Sequence, residues 1–534
     1  MRPCLWLAMA ATLLPAADLV KADLAQEGDR WWSHIRVLAD DNMAGRNTGS
    51  PGHLRAAQFL AGEFERAGLQ PAGVKGYLQP VKFKVAQIDE AHSSLAMVRD
   101  GKATPLKLGE DANLSVRSGL AQKVDAEVMF CGYGLSIPEY KFDDFAGLDL
   151  KGKIVVYLSG GPSSIPGNLR SHYSFRSERW KAIHNAGAIG VVAIANPKSM
   201  DIPWERSTLA RLNPAMELAA VSDTPGEQFG ATINPARAEQ FFAASGHTFG
   251  ELLALADQGK PLPRFPLHIR LQATEQIKTS EVESQNVIGV LPGSDPVLKY
   301  EYVVFGAHLD HLGVGAPIHG DKIYNGAMDD GSGIASLIEI ATMAKLENLR
   351  PKRSILFVAV TGEEKGLLGS QYFAGAPTVP LKNIVADINM DMYLPLYPLK
   401  YLQVMGLDES TLGADIRAVC QKDGVIVQPD PEPQRNLFIR SDQYNFIKHG
   451  VPALTFKFGY LKGSPEEKLA KGWLTERYHA PSDDLNQPVD KAAAAKYNRV
   501  MLDLGIRVAD ANARPRWNAD SFFKRFAKDS GQQR

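Results

Sequence analysis

The sequence predicts an α/β fold in which a mixed sheet is flanked by helices on both faces and the chain is interrupted by an inserted β-rich module. Three observations lead to this prediction. The chain has 534 residues, 45% of them hydrophobic, which is enough for two large domains or about three ordinary ones. From about residue 285, apolar runs typical of buried strands alternate with helix-like segments. Between about 80 and 280, short β-like runs are separated by Gly and Pro turns.

The N-terminal segment predicts an export signal over residues 1–22. Arg2 gives a positive start, and residues 5–14 form an uncharged apolar run too short to span a membrane stably. A cut after Ala22 fits the small residues before it, a cut after Ala17 is possible, and a buried N-terminal helix is the alternative. We therefore expect a secreted or periplasmic protein. No later segment has 18 consecutive apolar residues, so we expect no stable membrane span.

The remaining elements follow in chain order. Residues 28–70 are predicted to be helical, since apolar residues recur at three- and four-residue spacing over 51–68 and Gly68 ends the run. Strands are predicted at 127–130, 154–158, 189–194, 286–291, 302–307, 355–360, 384–388 and 453–458, and a helix at 334–346. We assign 23–87 and 283–515 to one discontinuous α/β domain, 88–282 to the insertion and 516–534 to a tail. The mixed polar, aromatic and basic residues beyond about 512 predict loose packing.

Composition excludes several classes of protein. Lys and Arg number 59 and Asp and Glu 60, so there is no basic excess to indicate a nucleic-acid partner. Three cysteines exclude a disulfide scaffold, and the signal would carry Cys4 away. Cys131 and Cys420 are too far apart in sequence to predict a disulfide. The chemistry must therefore come from local motifs.

Acidic residues and histidines concentrate where the later strands end. The clusters are His308-Leu309-Asp310, Asp329-Asp330-Gly331-Ser332-Gly333, Glu363-Glu364, Asn389-Met390-Asp391 and Tyr478-His479. Ligands bind beyond the carboxyl ends of strands in α/β sheets, so we expect several of these side chains to converge on one rim. Two histidines and three carboxylates are typical ligands of zinc, although cobalt and manganese also fit. Two ions sharing a carboxylate would stabilise both oxygens of a hydrolysis.

Each cluster alone has a simpler explanation. A His-x-Asp pair is usually an ordinary surface pair, Asp-Asp-Gly-Ser-Gly reads as a turn and helix N-cap, and Glu-Glu is usually a solvated helix start. Five such clusters in one order, each at a strand or helix boundary, argue against coincidence.

This ordered set resembles the M28 zinc peptidases, which are co-catalytic two-zinc aminopeptidases and their relatives. The resemblance covers about residues 285–510 and implies a zinc-exopeptidase fold of the phosphorylase/hydrolase-like type. Residues 142–156 and 180–191 also resemble a protease-associated (PA) domain, a module that commonly interrupts secreted M28 peptidases.

The resemblance implies a role for each residue. Two zinc ions per chain are expected, one held by His308 and Asp391, the other by Glu364 and His479, with Asp329 bridging both. Glu363 would be the general base, Asp310 would accept a hydrogen bond from the other nitrogen of His308, and Tyr478 would polarise the scissile carbonyl. In relatives the peptide bond after the bridging Asp is cis, so we expect a cis bond at Asp329–Asp330. His311 and His319 match no ligand position, and we expect them to line the pocket.

The function implied is a secreted zinc aminopeptidase acting on peptides. The sequence leaves open a metallo-carboxypeptidase, a glutaminyl cyclase of the same fold with one zinc, and a non-catalytic receptor or binding module. It fixes neither the preferred substrate side chain, the role of the PA-like insertion, nor the oligomeric state.

Overall fold

The computed structural model describes residues 16–117, 119–200, 202–220, 222–432, 435 and 437–527, with side chains from residue 23 onward. The predicted signal therefore lies largely outside the described residues, and the helix Ala16–Leu38 begins within its last part. No helix in the described ranges has both the length and the apolar character needed to cross a membrane.

A ten-stranded mixed sheet forms the centre of the molecule. In spatial order its strands are Ala215–Leu218, Leu78–Ile88, Ile277–Leu291, Ser354–Val360, Tyr302–His308, Ile384–Asn389, Ala453–Gly459, Tyr401–Met405 and Ile426–Pro429, and Gln70–Pro71 pairs with Ile277–Leu291. The four strands from Ser354–Val360 to Ala453–Gly459 are parallel. The strands that flank them, Ile277–Leu291 and Tyr401–Met405, run antiparallel to them, and Ile426–Pro429 is parallel to Tyr401–Met405. The four parallel strands therefore end at one edge.

Both faces of this sheet are buried, as the continuous apolar runs predicted. Val303 and Phe305 face one core, whereas Val304 faces the other, because neighbouring side chains of a strand point to opposite faces. The helices that pack on the sheet or complete its cores are Ala16–Leu38, Pro51–Arg66, Gly331–Leu346, Leu368–Gly375, Leu412–Lys422, Gln443–Lys448, Pro465–Glu476 and Lys491–Asp510. The predicted α/β class is confirmed.

Two helix starts illustrate why these segments fold as they do. Ser50 caps the helix Pro51–Arg66 by accepting a hydrogen bond from the His53 backbone, and Pro51 suits the first helical position. Asp330 caps Gly331–Leu346 through the backbone N–H of Gly333. The second helix is almost wholly buried, which places its start deep in the molecule.

A second, eight-stranded sheet has its own hydrophobic core. In spatial order its strands are Lys102–Leu106, Ser94–Arg99, Arg264–Thr274, Lys123–Cys131, Ile154–Leu158, Gly190–Ile194, Phe229–Ile233 and Ala112–Leu114. Its region also contains the helices Gly167–Ser174, Arg176–Asn185, Trp204–Ser207, Glu239–Phe242 and Phe249–Asp257. The domain bounds and the PA resemblance stay predictions. Ala215–Leu218, from the range assigned to the insertion, pairs with Leu78–Ile88 in the main sheet.

Two short antiparallel ladders complete the strands. They join Gly313–Ile318 to Asp321–Tyr324 and Ser136–Ile137 to Phe142–Asp143. Cys131 and Cys420 are both buried and free.

The prediction of a loosely packed tail is wrong over its described part. Trp517 and Phe523 are buried beside Tyr444, and the Trp517 indole donates a hydrogen bond to the Gly450 carbonyl at 2.9 Å. The two aromatic residues face the protein, while the neighbouring Arg516 and Lys524 stay exposed. The mixed composition of the segment does not indicate which of its residues are buried and which are exposed.

Candidate functional site

The parallel strands of the main sheet bring the predicted clusters together at their carboxyl edge. His308 is the last residue of its strand, Glu363 and Glu364 follow Ser354–Val360, and Asp391 follows Ile384–Asn389. Asp329 comes from the loop before helix Gly331–Leu346, and His479 from the loop after helix Pro465–Glu476. The expected convergence on one rim is therefore observed.

Asp329 lies between two groups of possible ligand atoms. On one side, His308 Nε2 is 3.1 Å from Asp329 Oδ1 and 3.6 Å from Asp391 Oδ1. On the other, His479 Nε2 is 3.3 Å from Asp329 Oδ2 and 3.2 Å from Glu364 Oε2. Each carboxylate oxygen of Asp329 thus faces a different group, as a bridging ligand would.

The second group contains a histidine that sequence reasoning left aside. His311 is fully buried, and its Nδ1 lies 2.7 Å from Glu364 Oε1 and 3.8 Å from Asp329 Oδ2. His319 instead is exposed near the turn of the hairpin Gly313–Tyr324. The expectation that both line the pocket is wrong, because one is buried behind the carboxylates and the other lies out on the hairpin.

The donor atoms fit divalent metal ions. Asp329 Oδ2, Glu364 Oε1 and both ring nitrogens of His311 are buried without a hydrogen-bond partner among the described residues. Burial alone would lower the pKa of His479, but the carboxylates of Glu364 and Asp329 raise it to about 10. Buried carboxylates facing imidazoles are a typical donor set for zinc, and an ion would satisfy the carboxylate oxygens of Asp329 and Glu364.

Asp310 acts differently from the prediction. The His308 Nδ1–H donates to the backbone carbonyl of Asp310 at 3.0 Å, not to its carboxylate. The carboxylate accepts hydrogen bonds from Thr48 Oγ1 at 2.8 Å and from the backbone N–H of Glu363 at 3.1 Å. The strand ends at His308, so the chain turns before Asp310 and its carboxylate contacts other groups. Either way, the Nε2 lone pair of His308 is left to face the ligand group.

The loop that carries Asp329 is fixed by backbone contacts. The Asp329–Asp330 peptide bond is cis, as predicted. The Asp483 carboxylate accepts hydrogen bonds from the backbone N–H groups of Met328 at 2.9 Å and Asp329 at 3.0 Å. Asp330 accepts from the backbone of His308 at 3.2 Å and of Met392 at 3.1 Å. These hydrogen bonds connect the loop that carries Asp329 to the ends of the strands that position His308 and Asp391.

Arg46 is a supporting residue that sequence reasoning missed. Its fully buried guanidinium donates to the backbone carbonyls of Leu38, Leu309, Asn325 and Gly326 at 2.6–3.0 Å. It therefore joins the N-terminal helix to the backbone of the His308 cluster and to the loop that leads to Asp329. Nothing in the local sequence signals these contacts, whereas Asp483 belongs to the Tyr-His-x-Pro-Ser-Asp segment that drew attention to Tyr478 and His479.

Glu363 and Tyr478 face a cavity beside the ligand groups. Burial raises the pKa of Glu363 well above its ordinary value, which increases the affinity of this carboxylate for a proton. Burial, reinforced by Asp329, raises the pKa of the Tyr478 phenol well above its ordinary value, so the phenol stays a hydrogen-bond donor. The cavity wall also has apolar members, among them Leu394, Tyr397 and Phe458.

A residue near the second sheet contacts the loop that carries His479. Arg206 donates hydrogen bonds to the backbone carbonyls of Thr475 at 2.6 Å and Leu474 at 3.2 Å. These carbonyls lie in the last turn of helix Pro465–Glu476, where carbonyls lack helical partners. Arg206 thus stabilises the end of the helix that leads to Tyr478 and His479.

The proteins that this chain resembles agree with a zinc site of this kind. Residues 286–505 match the family model "Peptidase family M28". A "Probable zinc metalloprotease" of Pyrenophora teres f. teres is 36% identical over 111 residues, 21% of this chain and 23% of that protein. A "probable leucine aminopeptidase 2" of Aspergillus oryzae is 27% identical over 258 residues, 46% of this chain and 48% of that protein.

The chain spans about a quarter of the first curated relatives it matches, 23% and 24% of their lengths. Among solved structures, the aminopeptidase from Aneurinibacillus sp. strain AM-1 is similar over 93% of this chain and 100% of that one, with a TM-score of 0.55 and 18% identity. That likeness shows a shared fold.

Proposed function

We propose that the chain, whose residues 286–505 match the model of peptidase family M28, is a zinc-dependent exopeptidase of that family, an aminopeptidase that hydrolyses the N-terminal bond of peptides. The observation that carries the proposal is the position of Asp329, whose two carboxylate oxygens face two separate groups of histidine and carboxylate atoms. This arrangement supports two zinc ions per chain.

Each side chain then has a defined task. His308, Asp329 and Asp391 would hold the first ion, and Asp329, Glu364 and His479 the second. Bound there, the ions would supply Lewis acidity and lower the pKa of a water molecule. Glu363 takes a proton from the attacking water and later delivers one to the leaving amine. Tyr478 donates a hydrogen bond to the scissile carbonyl oxygen as negative charge develops on it.

Binding of the free amino terminus is the part that distinguishes an aminopeptidase. Glu363 and Asp391 face the same cavity beside the ligand groups, so their carboxylates could hold an ammonium group. Lys457 lines this cavity too, but its ammonium already donates to the backbone carbonyls of Asp391 and Met392 at 3.1 and 2.7 Å. Glu363 and Asp391 are therefore better placed than Lys457 to bind the end of a peptide.

The test is a substrate panel combined with metal analysis. Aminoacyl and peptide substrates, blocked or free at each end, are assayed with zinc and with a chelator. We expect hydrolysis only with a free amino terminus, loss of turnover in chelator, and two zinc ions per chain. A requirement for a free carboxyl terminus would indicate a carboxypeptidase, one ion with cyclase activity a glutaminyl cyclase, and no ion a binding module.

We also propose that the protein is exported to the periplasm or secreted. The support is the N-terminal sequence, together with the fact that Trp31 and Ile35, which pack helix Ala16–Leu38 into the core, lie well after the predicted cut. Mass spectrometry of the protein from the periplasm or medium should find an N-terminus at residue 23 or 18. Full-length protein retained in the cytoplasm would contradict export.

A further inference from the structure

We propose that His311 is a direct ligand of the second metal ion, which would then have four protein ligands where the first ion has three. The inference rests on the proposed function and adds a residue that the family resemblance does not assign. Two atom groups suited to a metal ion occur among the described residues, one with His308, Asp329 and Asp391, the other with His311, Asp329 and Glu364. His479 reaches the same two carboxylates as His311.

The contact between His311 and Glu364 has the distance of a strong interaction but not the direction of a hydrogen bond. Nδ1 and Oε1 are 2.7 Å apart, yet neither atom has a hydrogen-bond partner in the described part of the chain. A ring N–H aimed at the carboxylate would have satisfied both atoms. A cation bound by both atoms would satisfy both of them.

The distances agree with this reading. Zinc binds nitrogen and oxygen at about 2.0–2.2 Å, so two ligand atoms of one ion lie no more than about 4 Å apart. His311 Nδ1 is 2.7 Å from Glu364 Oε1 and 3.8 Å from Asp329 Oδ2. His479 Nε2 is 3.2 and 3.3 Å from the other oxygen of Glu364 and the same oxygen of Asp329.

His311 is also held where it is. Its backbone N–H donates to the Arg46 carbonyl at 3.2 Å. Its ring packs directly against Gly326, where an added Cβ would come within 2.6 Å of the imidazole Cγ. The ring therefore has little room to turn away from the carboxylates.

A fourth protein ligand changes what the second ion can do. Zinc sites with four protein ligands are typically structural, whereas catalytic sites keep a position for water or substrate. We infer that the second ion is the more firmly held of the two and that substrate enters on the side of His308 and Asp391. The first ion should accordingly be the first to leave in chelator.

A cysteine at position 311 gives the direct test. In the Co²⁺-loaded holoenzyme, His311→Cys should introduce a thiolate-to-cobalt charge-transfer band in the near ultraviolet. Wild type is the control, because its buried Cys131 and Cys420 are present in both proteins. No such band in a variant that still binds two cobalt ions overturns the inference.

Chelator competition with zinc supplies the second measurement. In His311→Ala, the affinity of the second ion should fall by more than about 100-fold while the first ion is retained, since partners that only orient a ligand are worth about 10- to 100-fold. His319→Ala, at an exposed histidine on the hairpin, should match wild type. A loss of 100-fold or less, or an equal loss from both sites, overturns the inference.

These results separate the two proposals. If wild-type protein binds no pair of ions, the proposed function fails. If wild type binds two ions and hydrolyses peptides but His311→Cys shows no band, only the role of His311 fails.

Discussion

Glu363 and Glu364 are neighbours in sequence with different environments, and this difference divides their roles. Glu364 faces His311 and His479, which hold its pKa well below the ordinary value despite its burial. Glu363 faces the cavity, and burial raises its pKa. A ligand has to stay ionised, whereas a base has to accept a proton.

Replacing Glu363 by Gln should therefore remove turnover without removing metal. We expect kcat to fall by about two to four orders of magnitude, the range for a lost general base, with zinc content unchanged. Glu283→Gln, at an exposed position on the strand Ile277–Leu291, is the matched control. Near-wild-type kcat in Glu363→Gln would show that another group takes the proton.

Asp329 is the single residue shared by both ligand groups. Asp329→Ala should lose metal as well as activity, because both groups lose an oxygen and the remaining buried carboxylates and imidazoles have no compensating partner. Metal analysis by mass spectrometry after dialysis checks this, with the exposed Asp321→Ala as control. Two fully occupied zinc sites in Asp329→Ala would contradict the bridging role.

The ligand candidates could be found from sequence because each lies in a motif at a strand or helix boundary. Arg46 could not, since its partners are backbone carbonyls hundreds of residues away, and a carbonyl carries no sequence information. The hydrogen-bond partners of the Asp310 carboxylate could not be predicted from the sequence either. They depend on where the strand ends and on the approach of a separate loop at Glu363.

At the scale of elements, the strands of the main sheet were well predicted because strands buried on both faces are continuous apolar runs. The predicted strand 355–360 is Ser354–Val360, and the predicted helix 334–346 is Gly331–Leu346. Ala215–Leu218 was not predicted to join this sheet. Its partner Leu78–Ile88 is more than a hundred residues away, and a four-residue strand carries too little pattern to choose a partner.

The end of helix Pro465–Glu476 is the element whose position matters most to His479. Arg206→Ala removes both hydrogen bonds to its last turn, so we expect the loop to loosen and kcat/KM to fall by about 10-fold, roughly the weight of one charged hydrogen bond. Arg211→Ala is the control, because Arg211 lies in the same segment but pairs with Glu90. Equal kcat/KM in the two variants would mean that the hydrogen bonds from Arg206 have no functional effect.

At the scale of the whole molecule, the second-sheet region and the main-sheet region also meet at a buried histidine. The Tyr444 hydroxyl donates to His172 Nδ1 at 2.6 Å, with Phe522 and Phe526 packed around the ring. Burial, assisted by the positive charge of Arg525, lowers the pKa of His172 from 6.5 to about 4. The imidazole is therefore neutral in the folded protein at neutral pH.

This contact should make stability depend on pH. Between about pH 6.5 and 4 the unfolded chain binds a proton at His172 that the folded chain does not, so the free energy of unfolding falls as pH falls, by up to about 3 kcal/mol. Above pH 6.5 the contribution is complete. Urea unfolding across this range should show a weaker pH dependence in His172→Gln than in wild type or the exposed control His319→Gln. Parallel curves would contradict the assignment.

The helices Ala16–Leu38 and Lys491–Asp510 pack together, and this has a consequence for biosynthesis. Trp31 and Tyr497 share one core, and Lys491 Nζ is 2.8 Å from Asp29 Oδ1. The second sheet has all its strands once Thr274 is made, whereas the main sheet awaits Gly459 and its covering helix ends only at Asp510. During synthesis, the second sheet can therefore complete its strands early. The proposed metal site needs side chains up to His479 and a covering helix that ends at Asp510, so it can assemble only after residue 510 has emerged.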